Sequence, residues 1–213
     1  MAYMDELWAG ISVILGFIVG AVLWGSVLSS LFAGTLAEWF GRKKIIIASA
    51  FCFFISIPVI CASGLFDGGN FFLLTLGRTL QGASAGLVGV VVPMYLAECL
   101  DSDSRGKGTG MFQLLLTIGL AFAAVIGLVV TGLVGDSDKV INELGKAAVK
   151  PEQISSWIKA WQTIFWCSAI PGIILMIGAC KLKESPRWLY YRGRKEEALL
   201  SLAVETTPLV INE

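Results

Sequence analysis

The chain has 213 residues, 56% hydrophobic and 15% charged, with 16 basic and 16 acidic residues, no His and a mean hydropathy of +0.77. A soluble domain carries about a quarter charged residues; here long charge-free stretches alternate with short charged ones, as the spans and loops of a membrane protein do. No basic surface gathers on a polar domain, which excludes nucleic acid as a partner, and five dispersed cysteines without a C-x-x-C pair read as apolar filler, so neither metal nor cofactor is expected.

Five segments reach the roughly 20 apolar residues that a helix needs to cross a bilayer: 9–37, 45–65, 71–97, 108–134 and 160–180. None alternates with period two, which excludes barrel strands. The expected fold class is an all-α membrane protein. The first segment is too long for a cleaved signal, and the residues before it carry Asp5 and Glu6 but no Lys or Arg. Gly16-x-x-x-Gly20 in the first span and Gly82-x-x-x-Gly86 in the third predict close helix approach. Trp157, Trp161 and Trp166 predict an aromatic belt at a membrane interface.

Eleven of the 16 basic residues fall after the first, third and fifth spans: Arg42, Lys43 and Lys44, then Arg105 and Lys107, then Lys181 to Lys195. Lys139, Lys146, Lys150 and Lys159 lie between the fourth and fifth, diluted by acids. Because Lys and Arg concentrate on the cytoplasmic side, this predicts a multi-pass protein of the plasma or inner membrane, N-terminus outside and C-terminus inside.

The junctions carry motifs. The first span ends in Gly34-Thr-Leu-Ala-Glu38-Trp-Phe-Gly41-Arg42-Lys43-Lys44, which predicts a tight turn at Gly41 with cations beside the last helical carbonyls. The third ends in Pro93-Met-Tyr95-Leu-Ala-Glu98, followed by Arg105-Gly106-Lys107. After the fifth comes Glu184-Ser185-Pro186-Arg187-Trp188-Leu189, where Pro186 opens a short helix, Gly193 ends it and a Leu/Ala pattern begins an amphipathic one. A basic stretch on anionic lipid would explain the last charge run, but not three motifs in order at three successive junctions.

In that order the motifs closely resemble the sugar porter family of the major facilitator superfamily. The resemblance implies a partial major facilitator fold, with five helices matching the family's second to sixth and short cytoplasmic helices after them. It divides the chain into a transmembrane bundle over 1–182 and the start of a cytoplasmic helical domain over 183–213. The family's first helix and second half have no counterpart, so the chain reads as truncated and the second half as a missing partner. Glu38 and Trp39 depart from the family's Asp and Arg, and Lys183 from its Pro.

The resemblance implies transport of a monosaccharide or polyol by alternating access, with or without a coupled proton, in contact with membrane lipid and with no chemistry on the substrate. It implies that Glu38, Arg42, Glu98, Arg105, Glu184 and Arg187 form a cytoplasmic gating network; the alternative is that these charges anchor helix ends in the headgroups. Gln113, in a run of apolar residues, is implied as the substrate contact, its carboxamide suiting sugar hydroxyls, against a role as interhelical glue. Arg78 is implied to face an acid on the family's first helix; otherwise it snorkels outward. A non-transporting remnant, a regulatory or sensor subunit and a carrier of another solute stand as other functions. A membrane enzyme would need paired carboxylates or a metal set inside a span, and the sequence has neither.

Overall fold

The computed structural model describes residues 2–64, 70–134 and 151–201. It contains α1 (Ala2–Phe40), α2 (Arg42–Ser63), α3 (Phe71–Cys99), α4 (Ser102–Val134), α5 (Pro151–Lys181), α6 (Pro186–Tyr191) and a last helix, α7, over 195–201. No strand occurs among the described residues. Five helices contain stretches long and apolar enough to span: Gly16–Phe40, Arg42–Ser63, Phe71–Cys99, Ser104–Val130 and Lys159–Lys181. The chain is thus an all-α, multi-pass membrane protein.

The helices outrun the apolar segments at most ends, because their termini are built from polar residues. α3 begins at Asn70, whose Oδ1 accepts from the Phe72 and Leu73 N–H groups at 3.1 and 3.2 Å. α1 and α2 meet at Gly41, whose φ of 98° and ψ of 155° belong to a region that glycine alone occupies readily. Arg42 to Lys44, expected between the first two spans, form the first turn of α2.

α3 sits between α1 and α2, and α2 in turn packs on α5. Small residues set the α1–α3 approach: a Cβ at Gly82 would collide with the Val22 backbone, and one at Gly86 with Ser26 and Ser29. Gly16 and Gly20 face open space among the described residues, so there only the second of the two predicted small-residue spacings makes a helix contact. These pairings run α1 and α3 parallel, while Gly77 against Ile60, and Ser84 Oγ donating to the Ser49 carbonyl at 2.8 Å, run α2 antiparallel to α3. Gly172 against Phe53, and Gln162 Nε2 donating to the Cys61 carbonyl at 3.3 Å, do the same for α5 and α2. All three basic junctions therefore fall at one end of the bundle.

Two apolar clusters hold the layers. One, near the basic junctions, joins Ala33, Ala37, Ile45, Ile46, Val91, Tyr95 and Ala179; the other, near the opposite end, joins Ile57, Ile60, Cys61, Phe165 and Ala169. Trp161, expected in the belt, is half-buried and meets Phe165 edge-on, ring centroids 5.0 Å apart. Trp166 is exposed, and the Trp157 side chain lies outside the described residues. Along α4 the apolar side chains Leu114, Leu115, Leu116, Leu120 and Phe122 are exposed. An outer surface this rich in Leu, Phe and Trp suits lipid.

Candidate functional site

The site is assembled where the three basic junctions meet. At the α1–α2 turn the Gly41 N–H donates to the Ala37 carbonyl at 3.1 Å, and Arg42 Nη1 donates to the same oxygen at 3.1 Å. The predicted pairing of cations with the last helical carbonyls is therefore present. The other terminal nitrogen of Arg42 reaches across to α3 and meets Glu98 Oε1 at 2.8 Å, with the two side chains only 11% and 10% exposed.

Glu98 is shared. Its second oxygen accepts from the Ser185 hydroxyl at 2.6 Å, which ties the end of α3 to the segment after α5. Ser185 is fully buried and also caps α6, its Oγ accepting from the Trp188 N–H at 3.4 Å. Glu184, one residue earlier, turns towards the other junction. Its Oε1 accepts from the Lys43 N–H at 3.0 Å and the Ser185 N–H at 3.2 Å, placing a carboxylate at the N-terminus of α2. Such a charge satisfies an otherwise unpaired donor and complements the helix dipole, worth about 0.3–1 kcal/mol near a surface. Its Oε2 is where glycine at 41 is needed a second time, since a Cβ there would lie 2.5 Å away.

α6 closes over the end of α1. Trp188 Nε1 donates to the Glu38 carbonyl at 2.8 Å, and Arg192 Nη2 donates to the Glu38 and Trp39 carbonyls at 3.0 and 3.1 Å. The Arg192 guanidinium lies 5.5 Å from the Trp188 ring, a cation–π distance. The Tyr95 hydroxyl donates to the Lys183 carbonyl at 2.9 Å. Beside these groups a cavity of about 660 Å³ is lined by residues that include Arg42, Glu98, Trp188 and Arg192.

Of the six charges expected to form one network, Arg42, Glu98 and Glu184 are joined through Ser185 and the α2 N-terminus. Glu38 enters through its backbone carbonyl; its side chain is exposed and makes no ion pair among the described residues. Arg105 is exposed and donates Nε to the Leu100 carbonyl at 3.1 Å, closing its own turn. Arg187 is exposed with its guanidinium 5.9 Å from the Tyr191 ring. Sequence reasoning missed Arg192, Ser185, Trp188 and Tyr95 as participants. Ser185 carried a usable signal, a Ser directly before a helix-opening Pro.

The two intramembrane residues lie elsewhere. Arg78 points into the bundle, its guanidinium carbon 4.8 Å above the Phe165 ring of α5. Its buried Nε has no hydrogen-bond partner among the described residues. Gln113 is exposed, on a helix exposed on every side among the described residues, and its backbone carbonyl accepts from the Thr117 hydroxyl at 2.9 Å. Leu120, two turns along, is exposed as well.

A sequence profile described as "Sugar (and other) transporter" matches residues 4–213. The chain is 29% identical over 183 residues to the D-xylose transporter of Levilactobacillus brevis, covering 86% of this chain and 34% of that protein. It is 29% identical over 184 residues to the major myo-inositol transporter of Bacillus subtilis (strain 168), with the same coverage. It thus spans about a third of the length of these curated relatives. Among solved structures, the proton:xylose symporter XylE, of the major facilitator superfamily, bound to 6-bromo-6-deoxy-D-glucose, superposes with a TM-score of 0.74 at 24% identity, covering 91% of this chain and 41% of that one. That likeness carries the fold: five helices arranged as part of a major facilitator bundle.

Proposed function

The chain belongs to the sugar (and other) transporter family, a family of transporters and not of enzymes, and on that premise we propose that it supplies part of a carrier moving a monosaccharide or polyol by alternating access. The names of its relatives, a xylose, a myo-inositol and a glucose transporter among them, support that solute class. In this reading 1–182 is the membrane bundle and 183–213 the start of a helical domain at the cytoplasmic face. The basic end is cytoplasmic and the N-terminus outside, as the distribution of Lys and Arg favours. Solute binds near the midplane against Gln113, and the binding site is completed by helices outside these 213 residues.

The observation that carries the proposal is the convergence of three sequence-distant motifs on one carboxylate: Arg42 at 2.8 Å and Ser185 at 2.6 Å from Glu98. A cluster of charge-assisted bonds at one end of a helical bundle is a two-state element. It is worth a few kcal/mol when closed, enough to bias which side of the membrane is open. Arg42, Glu98 and Glu184 are its core, Arg192 and Trp188 hold α6 to α1, and Glu38, Arg105 and Arg187 are left to meet the rest of the carrier. Arg78 awaits an acid at its own depth, because a buried guanidinium without a counter-charge is costly; with that acid in place a coupled proton has a site.

The test is a hybrid in which residues 16–201 replace the matching segment of the L. brevis D-xylose transporter, assayed for uptake of labelled xylose, glucose and myo-inositol. Saturable uptake of at least one is expected. A hybrid that inserts in the membrane and moves none of them, where the parent moves its own, contradicts the proposal.

A further inference from the structure

We propose that the basic end of the bundle carries a second site, a pocket that holds the phosphate-bearing headgroup of an anionic phospholipid. The pocket encloses about 480 Å³ and shares only Trp188 with the cavity beside Arg42 and Glu98. Four cations line it, Lys43, Lys44, Lys183 and Arg194, against two carboxylates. Both carboxylates are already engaged. Glu184 accepts from two backbone amides, and Glu197 is held by Arg194 through two hydrogen bonds, one of 2.7 Å. The ammonium groups of Lys43, Lys44 and Lys183 make no ion pair or hydrogen bond among the described residues. With Arg194 and Glu197 paired, three lysines against the one Glu184 carboxylate leave the concavity net positive, which matches a phosphodiester whose charge is spread over oxygens reachable from several sides.

Position favours a lipid over a soluble phosphate. Lys43 and Lys44 lie in the first turn of the span Arg42–Ser63, and Lys183 lies two residues past the end of the span Lys159–Lys181, so all three sit at headgroup depth. The pocket also has apolar lining, Leu189 and Leu200, and on α7 both Leu199 and Leu200 are exposed, at 66% and 64%. Cations and leucines lining one pocket suit a molecule with a charged head and an apolar tail.

The purified 213-residue chain in phosphatidylcholine nanodiscs doped with phosphatidylglycerol tests this, with bound phosphatidylglycerol counted by native mass spectrometry. The triple variant Lys43→Gln, Lys44→Gln, Lys183→Gln should lower selective retention about tenfold or more, from the contribution of each surface cation. A control triple, Lys139→Gln, Lys146→Gln, Lys150→Gln, removes the same charge and should leave retention unchanged. The triple variant Lys43→Arg, Lys44→Arg, Lys183→Arg should preserve it, which separates lost charge from lost fold. Equal losses in the two glutamine triples, or no loss in either, overturns the proposal. Full displacement of phosphatidylglycerol by millimolar inorganic phosphate assigns the pocket to a soluble anion and overturns the lipid assignment.

Discussion

Removing either partner of the Arg42–Glu98 pair should destabilise the bundle far more than a surface ion pair would, and the two losses should not add. The pair is 2.8 Å long with side chains 11% and 10% exposed. Breaking a buried pair from one side costs about 3–5 kcal/mol, because a charge is left without compensation. In Glu98→Gln the new carboxamide still accepts from Arg42 or from Ser185, which returns part of that, so a loss of about 3 kcal/mol is expected. At about 2–4 °C per kcal/mol for a chain of this size, the midpoint should fall by about 6–12 °C. Arg42→Met should cost a similar amount, since it strands Glu98 and also removes the bond to the Ala37 carbonyl. The double variant strands neither charge, so the cycle should return a coupling of about 2 kcal/mol. The assay is thermal unfolding of the purified chain in detergent, followed by tryptophan emission. A coupling under about 0.5 kcal/mol, the range of exposed pairs, would refute the view that this is a desolvated, structure-holding interaction.

Three further outcomes follow from the same geometry. Gly41→Ala should cost about 2 kcal/mol, from its glycine-only φ and ψ and a Cβ facing Glu184 Oε2, read as a lower melting midpoint. Gly82→Leu should prevent α1 and α3 from closing and lower the yield of folded chain on size exclusion, whereas Gly16→Leu, whose Cβ meets no described atom within 4 Å, should stay within about 0.5 kcal/mol of the parent. In the hybrid carrier Gln113→Ala should raise KM about fivefold with expression unchanged, the loss of about one hydrogen bond to a neutral solute; an unaltered KM moves Gln113 to a packing role.

Long apolar runs made the five spans legible, and the rule that Lys and Arg mark one side made the shared end of the three junctions legible too. Helix ends were less so, because apolarity stops before the helix does: Arg42, Lys43 and Lys44 look like loop residues and form a first helical turn. The site divides along the same line. Arg42, Glu98 and Glu184 stood out as charges at motif positions, and the bundle brings all three junctions together. Ser185 and Arg192 did not, since a serine's role depends on which carboxylate comes within 3 Å, and one arginine among several after α5 looks like another. Arg192 is the one that reaches α1 because α6 ends at Tyr191 and the chain reverses at Gly193, with φ of 79°.

The central claim, that the Glu98 cluster holds the basic end closed while the other side is open, is most directly tested by accessibility at the proposed solute site. Gln113→Cys is placed in the hybrid after replacement of Cys52, Cys61, Cys99, Cys167 and Cys180, and labelled with an impermeant thiol reagent from either side of oriented vesicles. With Glu98 intact, labelling from the side opposite the basic junctions should dominate. Adding Glu98→Gln should speed labelling from the basic side about fivefold and slow labelling from the opposite side by less, the population shift expected when about 1.4 kcal/mol of closure changes the ratio of the two states tenfold. Equal labelling rates with and without Glu98 would contradict the claim and leave the cluster as an anchor of helix ends.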